Sequence, residues 1–238
     1  YNKMLERLSD AFKIQREFTE NAAHELRTPL SLMQIQLDLY NSGKHPGNDA
    51  DTIQTIKMVT EQNERLSKMV KTLLDMSELQ TVGRDETIVV NALVDEVLAD
   101  LEPLAQEKNI KLIGKCKDVN MVGSDILIYR LVYNLVENAI KYNHSGGQVI
   151  VEAYQREKQV YLSVKDTGNG IPEELKERVF EPFFRVDKSR SRELGGVGLG
   201  LALVNEIVRV HDGSIAIRPN PSGGTIIEVQ FAVNRTTA

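Results

Sequence analysis

Cysteine, tryptophan and long apolar runs are scarce or absent in this sequence. Of 238 residues, only Cys116 is a cysteine and none is tryptophan, so an internal disulfide is impossible, which weakly favours a reducing compartment. The sequence has no signal peptide and no apolar run of about 18 residues, so it predicts no membrane span of its own. The formal net charge of -5 argues against binding nucleic acid through bulk electrostatics. Because the chain begins with Tyr1, we expect a fragment whose membrane segment, if any, lies upstream.

Glycine is absent from the first 42 residues and then appears in a turn-forming cluster that holds Gly43, Pro46 and Gly47. A long helical pattern lies on each side of this cluster. The second, from about Ala50 to Gln80, spaces its apolar residues three and four apart and places Asn63 at a core position. A lone hairpin of this length buries its apolar stripe poorly, so the pattern predicts that two copies form a four-helix bundle. A helix packed on a monomeric core is the alternative.

His24 lies in the first helical pattern, two residues from the apolar positions Ala22 and Leu26. Its side chain is therefore predicted to point away from the core, as a candidate reactive group or as an ordinary surface histidine. Leu26 and Leu30 are four residues apart, where the alternating apolar pattern requires a spacing of three. This difference predicts a stutter, and Pro29 predicts a kink at the same place. A zinc-protease motif is excluded, because Thr28 stands where the second histidine would be needed.

From residue 87 onward, short strands alternate with helices, and Asn91 is predicted to cap the first of these helices. This pattern predicts a two-layer α+β sandwich with helices covering one sheet. Within it, the polar residues Asn134, Glu137, Asn138 and Lys141 share one helix face. Such a face is usually only solvent-exposed, but amide oxygens also suit Mg²⁺.

Two glycine clusters accompany this polar face. The sequence DTGNGI (166–171) places Asp166 at the end of a strand, beside a turn that a flat ligand can approach closely, although it also fits a simple tight turn. The sequence GGVGLGLALV (195–204) runs into a helix whose N-terminus favours anions. It lacks the Lys-Ser/Thr of a Walker A motif, and a Rossmann site fits its late position poorly. Together, the carboxylate, the amides and the glycine loop predict an ATP site.

Five ordered motifs make the chain resemble the sensor histidine kinases of two-component signalling over nearly its whole length. They are FTENAAHELRTPL (H-box), LVYNLVENAIKY (N-box), DTGNGI (G1-box), VFEPFFRVDKSR (F-box) and GGVGLGLAL (G2-box), with GGT at 223–225 as a terminal glycine motif. The resemblance implies an antiparallel helical hairpin that forms a dimeric four-helix bundle, followed by an ATP-binding sandwich of the Bergerat type. It implies a signalling linker at 1–17, a dimerisation and phosphotransfer hairpin at 18–80, a linker at 81–86 and a catalytic domain at 87–235.

The resemblance also implies a role for each matched residue. His24 would be the phosphoacceptor, Glu25 its general base or orienting partner, and Thr28 the residue that helps to place a water for dephosphorylating the response regulator. Asp166 would bind the adenine amino group and Asn138 would coordinate Mg²⁺. Phe183 and Phe184 would anchor a lid over the nucleotide. The remaining nucleotide-binding positions would be Asn134, Lys141, Tyr142, Gly168, Gly170, Ile171, Arg185, Gly196, Gly198, Leu199, Gly200, Leu201 and Thr225.

The implied partners are a second copy of the chain and the receiver domain of a response regulator, with no nucleic acid, and the implied setting is the cytoplasmic portion of a bacterial membrane sensor. Val197 departs from the family, which usually has Ser or Thr there, and a lost hydrogen bond of about 1 kcal/mol would lower ATP affinity about fivefold. The alternatives are another ATPase on the same nucleotide fold and a degenerate kinase that only binds partners. The signal sensed, the cognate regulator, phosphorylation within or across the dimer, and the balance of kinase and phosphatase activity are not determined by the sequence.

Overall fold

The structure, a computed structural model, describes residues 2–42, 49–187 and 196–233. The turn predicted around Gly43 and Gly47 and the first glycine of the 195–204 stretch lie outside the described residues. The described chain divides into two compact units. The first contains the N-terminal helices as far as Leu73, and the second contains the chain from Leu74 to Asp187 and from Gly198 onward.

The first unit is an antiparallel helical hairpin, as predicted. Helix α1 spans Asn2–Asn41 and helix α2 spans Asp49–Glu78. Two contacts fix their antiparallel register. The Arg65 guanidinium lies 3.6 Å from the Glu25 carboxylate, and the Tyr40 hydroxyl lies 3.4 Å from that of Thr52. No helix in the described part of the chain is long and apolar enough to cross a membrane.

The prediction of a stutter in α1 is wrong for the face of the helix that is covered by the rest of the chain. Pro29 is buried, while Leu30 exposes 51% of its surface. The covered positions Ala22, Leu26, Pro29 and Met33 follow a regular four-three-four spacing, so Pro29 itself fills the position that a stutter would have skipped. The ring of Pro29 supplies apolar surface at this covered position, although proline removes one main-chain hydrogen bond from the helix.

A second stripe of large apolar side chains is exposed on the same hairpin. Ile56 and Val70 on α2 expose 60% and 42% of their surfaces, and Asn63 lies exposed midway between them. On α1, Leu30 and Leu37 are exposed in the same heptad spacing. Residues seven apart lie on one face of a helix, so these side chains form a continuous stripe rather than scattered surface residues.

The second unit is a two-layer sandwich, which confirms the predicted fold class. Its sheet has the order β2-β4-β5-β7-β6, with β2 parallel to β4 and the other pairs antiparallel, while β1 and β3 form a separate antiparallel ladder. The elements are β1 Glu86–Val89, α3 Val90–Glu107, β2 Lys111–Cys116, β3 Asn120–Gly123, α4 Asp125–Lys141, β4 Gln148–Arg156, β5 Gln159–Asp166, α5 Gly200–Val210, β6 Ser214–Pro219 and β7 Thr225–Ala232. Short 3-10 turns lie at Glu173–Leu175 and Arg178–Phe180.

The core of this unit lies between one face of the sheet and helices α3, α4 and α5. Burial alternates along β4 and β7, as a half-covered antiparallel strand requires. Val151 and Val229 from the sheet are buried in one cluster with Leu131, Leu135 and Ile207 from the helices. The apolar face of α4 is thereby fixed against the sheet, which leaves its polar residues on the remaining face.

Asn91 is not the cap of α3, contrary to the prediction. The helix begins at Val90, whose N–H donates to the Val119 carbonyl at 2.9 Å, so the chain passes from the β1 ladder into the helix without a capping side chain. The Asn91 amide donates instead to the Asp118 carboxylate.

His211 joins the end of α5 to the start of α4. Its ring, 4% exposed, accepts the Ser124 N–H at Nε2 over 3.1 Å, while Nδ1 lies 2.9 Å from the Ile207 carbonyl. An acceptor at Nε2 and a carbonyl facing Nδ1 require the neutral tautomer with its proton on Nδ1. A side chain at Gly123 would meet this ring at 3.0 Å, so the two positions fit together.

We expect His211→Phe to lower the unfolding free energy of the protein by about 1–3 kcal/mol, because the buried Ser124 N–H would lose its acceptor. Guanidinium unfolding measures this change. His144→Phe applies the same substitution at an exposed position and serves as the matched control. Two variants that both stay within about 0.5 kcal/mol of the parent would contradict the assigned role of His211.

Candidate functional site

His24 lies on α1 with its side chain exposed, as predicted. One turn later, the Thr28 hydroxyl donates to the main-chain carbonyl of His24 at 3.2 Å. This bond uses the hydroxyl hydrogen of Thr28 without covering the imidazole. The hairpin therefore presents a solvent-accessible imidazole, a nucleophile when neutral.

Glu25 is the next residue along α1, and its partly buried carboxylate pairs with Arg65 of α2. The Arg65 side chain is only 14% exposed, so this ion pair is better shielded than a typical surface pair. Sequence reasoning missed Arg65, because one charged residue within a heptad pattern carries no signal until the register of the two helices is known. The structure thus places Glu25 beside His24 in sequence but with its carboxylate directed to the neighbouring helix.

The polar face of α4 meets the beginning of α5. A Cβ placed on Gly200 would lie 2.9 Å from Asn134 Oδ1 and 3.5 Å from Asn138 Nδ2. The structure therefore brings together two motifs that are about sixty residues apart in the sequence, and glycine at 200 permits the approach. The Asn134 amide also donates to the Arg130 carbonyl at 2.7 Å.

Lys141, on the same face, pairs with Glu137 at 3.0 Å. Glu137 is 8% exposed, and a buried carboxylate is stable only when it is paired in this way. The ammonium group of Lys141 is thus held near the C-terminal end of α4, where cations also favour the helix dipole.

Asp166 ends β5, and its carboxylate is fixed from two sides. Oδ1 accepts the Gly168 N–H at 2.8 Å and the Thr225 N–H at 3.2 Å. Within the described ranges, Oδ2 makes no hydrogen bond, so it is the oxygen left for a ligand. Thr225, a predicted site residue, contributes through its main chain and is itself buried.

Burial raises the pKa of Asp166 above its usual range, although the N–H groups of Gly168 and Thr225 act in the opposite direction. Desolvation disfavours the ionised form, and hydrogen bonds to a carboxylate favour it. The group is thus a partly desolvated acceptor with a fixed orientation.

The turn after Asp166 packs tightly on the end of α4. A Cβ on Gly168 would lie 2.5 Å from the Tyr142 carbonyl, and the Asn169 N–H donates to that same carbonyl at 3.3 Å. Gly170 has a φ of +73°, which a residue with a side chain rarely adopts. Tyr142 and Ile171 lie at either end of this packed region, and both are partly exposed to solvent.

The segment before α5 is tied to the predicted lid residues. The Phe183 N–H donates to the Gly198 carbonyl at 2.8 Å, and a Cβ on Gly198 would lie 2.7 Å from the Phe184 carbonyl. The Phe184 ring stacks under the Arg178 guanidinium, 4.4 Å from its centroid. Leu199 is buried, whereas Leu201 and Arg185 are partly exposed. Gly196 and Val197, which directly precede Gly198 in the chain, are partly exposed and buried, respectively.

The donor chemistry bears on the predicted metal. Across residues 2–42, 49–187 and 196–233, no group of three or more His, Cys, Asp or Glu side chains could hold an ion. An amide oxygen such as that of Asn138 suits Mg²⁺ that is held mainly by water and by substrate phosphates, which is how this ion is commonly bound. The residues present therefore fit a Mg²⁺ ion whose ligands come mostly from water and substrate phosphates, rather than an ion enclosed by protein ligands alone.

The second unit therefore offers an oriented carboxylate acceptor, a face with two amides and an ammonium group, and a glycine segment that enters a helix N-terminus. Such a set can hold an exocyclic amine at one end and phosphates at the other. The first unit offers an accessible imidazole. These are the parts needed to transfer a phosphoryl group to histidine.

Two family models match the chain. Residues 14–82 match the His Kinase A (phospho-acceptor) domain, and residues 123–235 match the histidine kinase-, DNA gyrase B- and HSP90-like ATPases. The first match contains His24, and the second contains α4, Asp166 and α5.

Curated proteins and solved structures give the same result. The chain is 35% identical to the sensor protein CutS of Streptomyces coelicolor over 98% of its length, and 32% identical to the signal transduction histidine-protein kinase ArlS of Staphylococcus aureus over 97%. It covers 56% and 52% of those proteins, and so spans about half the length of its curated relatives. The histidine kinase ThkA, solved in complex with response regulator protein TrrA, superposes with a TM-score of 0.78 at 25% identity, over 97% of this chain and 65% of that one.

We expect Asp166→Asn to raise the melting temperature at pH 7 in the absence of ligand. Because the folded pKa of Asp166 is raised, its contribution to stability is complete below the usual value of about 3.9 and is lost as the pH rises through the folded value. Asparagine keeps an oxygen for the two N–H groups and removes the buried charge. In melting curves from pH 3 to pH 8, the difference in melting temperature between the variant and the parent should shrink as the pH falls.

Asp85→Asn, at an exposed carboxylate, is the control and should leave the melting temperature unchanged. If Asp166→Asn instead melted lower than the parent by the same amount at every pH, the charge would not be the destabilising element.

Proposed function

The chain belongs to the sensor histidine kinases of two-component signalling, and from this premise we propose that it uses ATP to phosphorylate its own His24 and passes the phosphoryl group to an aspartate of a response regulator. The observation that carries the proposal is the exposed imidazole of His24 on a helical hairpin that matches the phospho-acceptor domain. We assign phosphotransfer to residues 18–80 and nucleotide binding to residues 87–235.

In the proposed complex, Asp166 Oδ2 accepts a hydrogen bond from the amino group of adenine. Asn134, Lys141 and Tyr142 lie along the phosphates, and the main chain at Gly198 and Gly200 meets them at the start of α5. Asn138 would hold Mg²⁺, which neutralises phosphate charge when it is bound. The lid residues Phe183 and Phe184, with Arg185, would close over this end of the nucleotide.

The chemical step forms a P–N bond between a ring nitrogen of His24 and the γ-phosphorus, and it breaks the bond from that phosphorus to the bridging oxygen, which leaves on ADP. Neutral imidazole is available near pH 7, because its ordinary pKa is about 6.5. The proton on the second ring nitrogen is held or taken by Glu25. Neighbouring residues on a helix do not face one another, so Glu25 has to change rotamer, away from Arg65, to reach the ring.

The response regulator is the proposed acceptor because the accessible imidazole leaves room for a second protein at the same helix. ThkA, which this chain resembles in fold, was solved in complex with response regulator protein TrrA. We further propose that Thr28 helps to place the water that dephosphorylates the regulator. That this chain is the cytoplasmic portion of a bacterial membrane sensor stays a prediction from the resemblance.

We propose that the functional form is a homodimer. The stripe of Leu30, Leu37, Ile56, Asn63 and Val70 leaves apolar surface exposed at heptad spacing in the single chain. A second copy that covers this stripe would complete a four-helix bundle, with Asn63 as the polar position that selects one register.

Labelled phosphate from γ-labelled ATP is expected to stay on the protein in an acid-labile form, and both His24→Gln and Asn138→Ala are expected to abolish the label. The first removes the acceptor and the second removes the Mg²⁺ ligand. Mixing the two variants should restore labelling if transfer crosses the dimer, since each mixed dimer contains one intact acceptor and one intact nucleotide site in different copies.

His144→Gln is the control for a histidine outside the hairpin and should label normally. Release of inorganic phosphate with no labelled protein would instead indicate an ATPase, and the proposal of autophosphorylation would then be wrong.

Ile56→Asp should convert the protein from a dimer into a 26.7 kDa monomer, because a carboxylate in the stripe would be buried without a partner. Light scattering after size exclusion measures the mass. Gln54→Asp introduces the same charge at an exposed position off the stripe and should remain dimeric. A dimer in both variants would show that another surface holds the copies together.

A further inference from the structure

The turn between β6 and β7, residues 220–224, packs directly on Asp166. A Cβ placed on Gly224 would lie 2.4 Å from the Asp166 carbonyl oxygen and 2.5 Å from its Oδ1. Gly224 has a φ of +87° and Gly223 a φ of +91°, so this turn reaches the carboxylate only because glycine occupies both positions. The ladder between β5 and β7 ends at the pair Lys165–Ile226, and the turn continues the contact beyond it.

Asn220 fastens this turn to Asp166 with its side-chain amide. Nδ2 donates to the Asp166 carbonyl at 2.7 Å, while Oδ1 accepts the Ser222 N–H at 3.2 Å. The Asp166 carbonyl needs a donor and the Ser222 N–H needs an acceptor, so the two bonds define the orientation of the Asn220 amide. The main chain of Asn220 closes the turn as well, through bonds with Gly224 and Gly223 at 3.1 and 2.9 Å.

These bonds engage two of the three oxygens of Asp166. The main-chain oxygen is held by Asn220, and Oδ1 is held by the N–H groups of Gly168 and Thr225. The direction of Oδ2 is therefore set jointly by the turn that follows β5 and by the β6–β7 turn. An acceptor with a fixed direction discriminates between ligands better than a free carboxylate, because a ligand lacking the matching donor leaves it unpaired.

We propose that Asn220 is a positioning residue for nucleobase recognition, which locks the β6–β7 turn onto Asp166 so that Oδ2 faces the exocyclic amine of the purine. This inference rests on the proposed function, since it takes ATP as the ligand of Asp166. It adds a residue that fixes the direction of Oδ2, on which the choice of base depends: a 6-amino purine donates to Oδ2, whereas a 6-oxo purine presents an acceptor to an acceptor. No part of the recognition requires Asn220 to touch the nucleotide.

The test compares the affinities of the whole chain for ATP and for inosine triphosphate, measured by calorimetry. The two nucleotides share their ribose and phosphates and differ at the 6-position of the base. Asn220→Asp keeps an oxygen for the Ser222 N–H and removes the donor to Asp166. We expect ATP affinity to fall about fivefold and inosine triphosphate affinity to change less than about twofold, so that the selectivity ratio falls.

Two further variants make the measurement specific. Asn220→Ser is uncharged and too short to reach the Asp166 carbonyl, and it should lower the ratio in the same direction. Ser222→Ala keeps the N–H that Asn220 accepts and should leave both affinities unchanged. At saturating ATP, the Asn220 variants should autophosphorylate at the parental maximal rate with a raised KM.

If the affinities for ATP and inosine triphosphate fell by the same factor, or if neither changed, the selectivity ratio would be unchanged and the role of Asn220 would be overturned. Unfolding of both Asn220 variants in melting experiments would also overturn it, because the residue would then be structural. A parent protein that bound the two nucleotides equally would refute base reading by Asp166 while ATP binding stood. A parent that bound neither nucleotide would refute the proposed function itself.

Discussion

The paired N–H bonds onto one oxygen of Asp166 are the interaction on which the rest of the nucleotide-binding unit depends. They come from Gly168 and Thr225, residues far apart in the chain, and they require the end of β5 and the start of β7 to meet in one register. The sheet order places these strands side by side, and the glycine turns bring their ends close enough to bond. The helices pack on one face of this sheet, and α4 presents Asn134, Asn138 and Lys141 on its polar face.

The parts of this architecture that were predictable from sequence are those written in local periodicity. The three-and-four spacing of apolar residues from about Ala50 to Gln80 predicted a helical hairpin, the short strands after residue 87 predicted the sheet, and the glycines of the DTGNGI sequence marked a turn that a ligand can approach closely. Two local readings failed because main-chain bonding and burial in the folded chain decided the outcome. Asn91 does not cap α3 since the Val90 N–H already bonds to Val119, and Leu30 is not in the intrachain seam since Pro29 fills it.

The residues that sequence reasoning missed share one property. Arg65 acts on Glu25 from the other helix, and Asn220 acts on Asp166 across 54 residues. Neither belongs to a motif, and neither has a composition or spacing that distinguishes it from an ordinary surface residue. Motifs identify the groups that touch a ligand, whereas the groups that orient them become visible only when the chain is folded.

The glycine contacts around Asp166 have a consequence for how such a site diverges between proteins. At 168 and 224, a single added methyl group would meet a main-chain carbonyl oxygen at 2.5 Å or less, so a larger residue at either position requires the backbone to shift. Change at those two points is disfavoured unless a neighbour changes in the same step. Nucleotide preference can consequently change more readily by substitution of the side chains behind the carboxylate than by change in the main chain of the pocket.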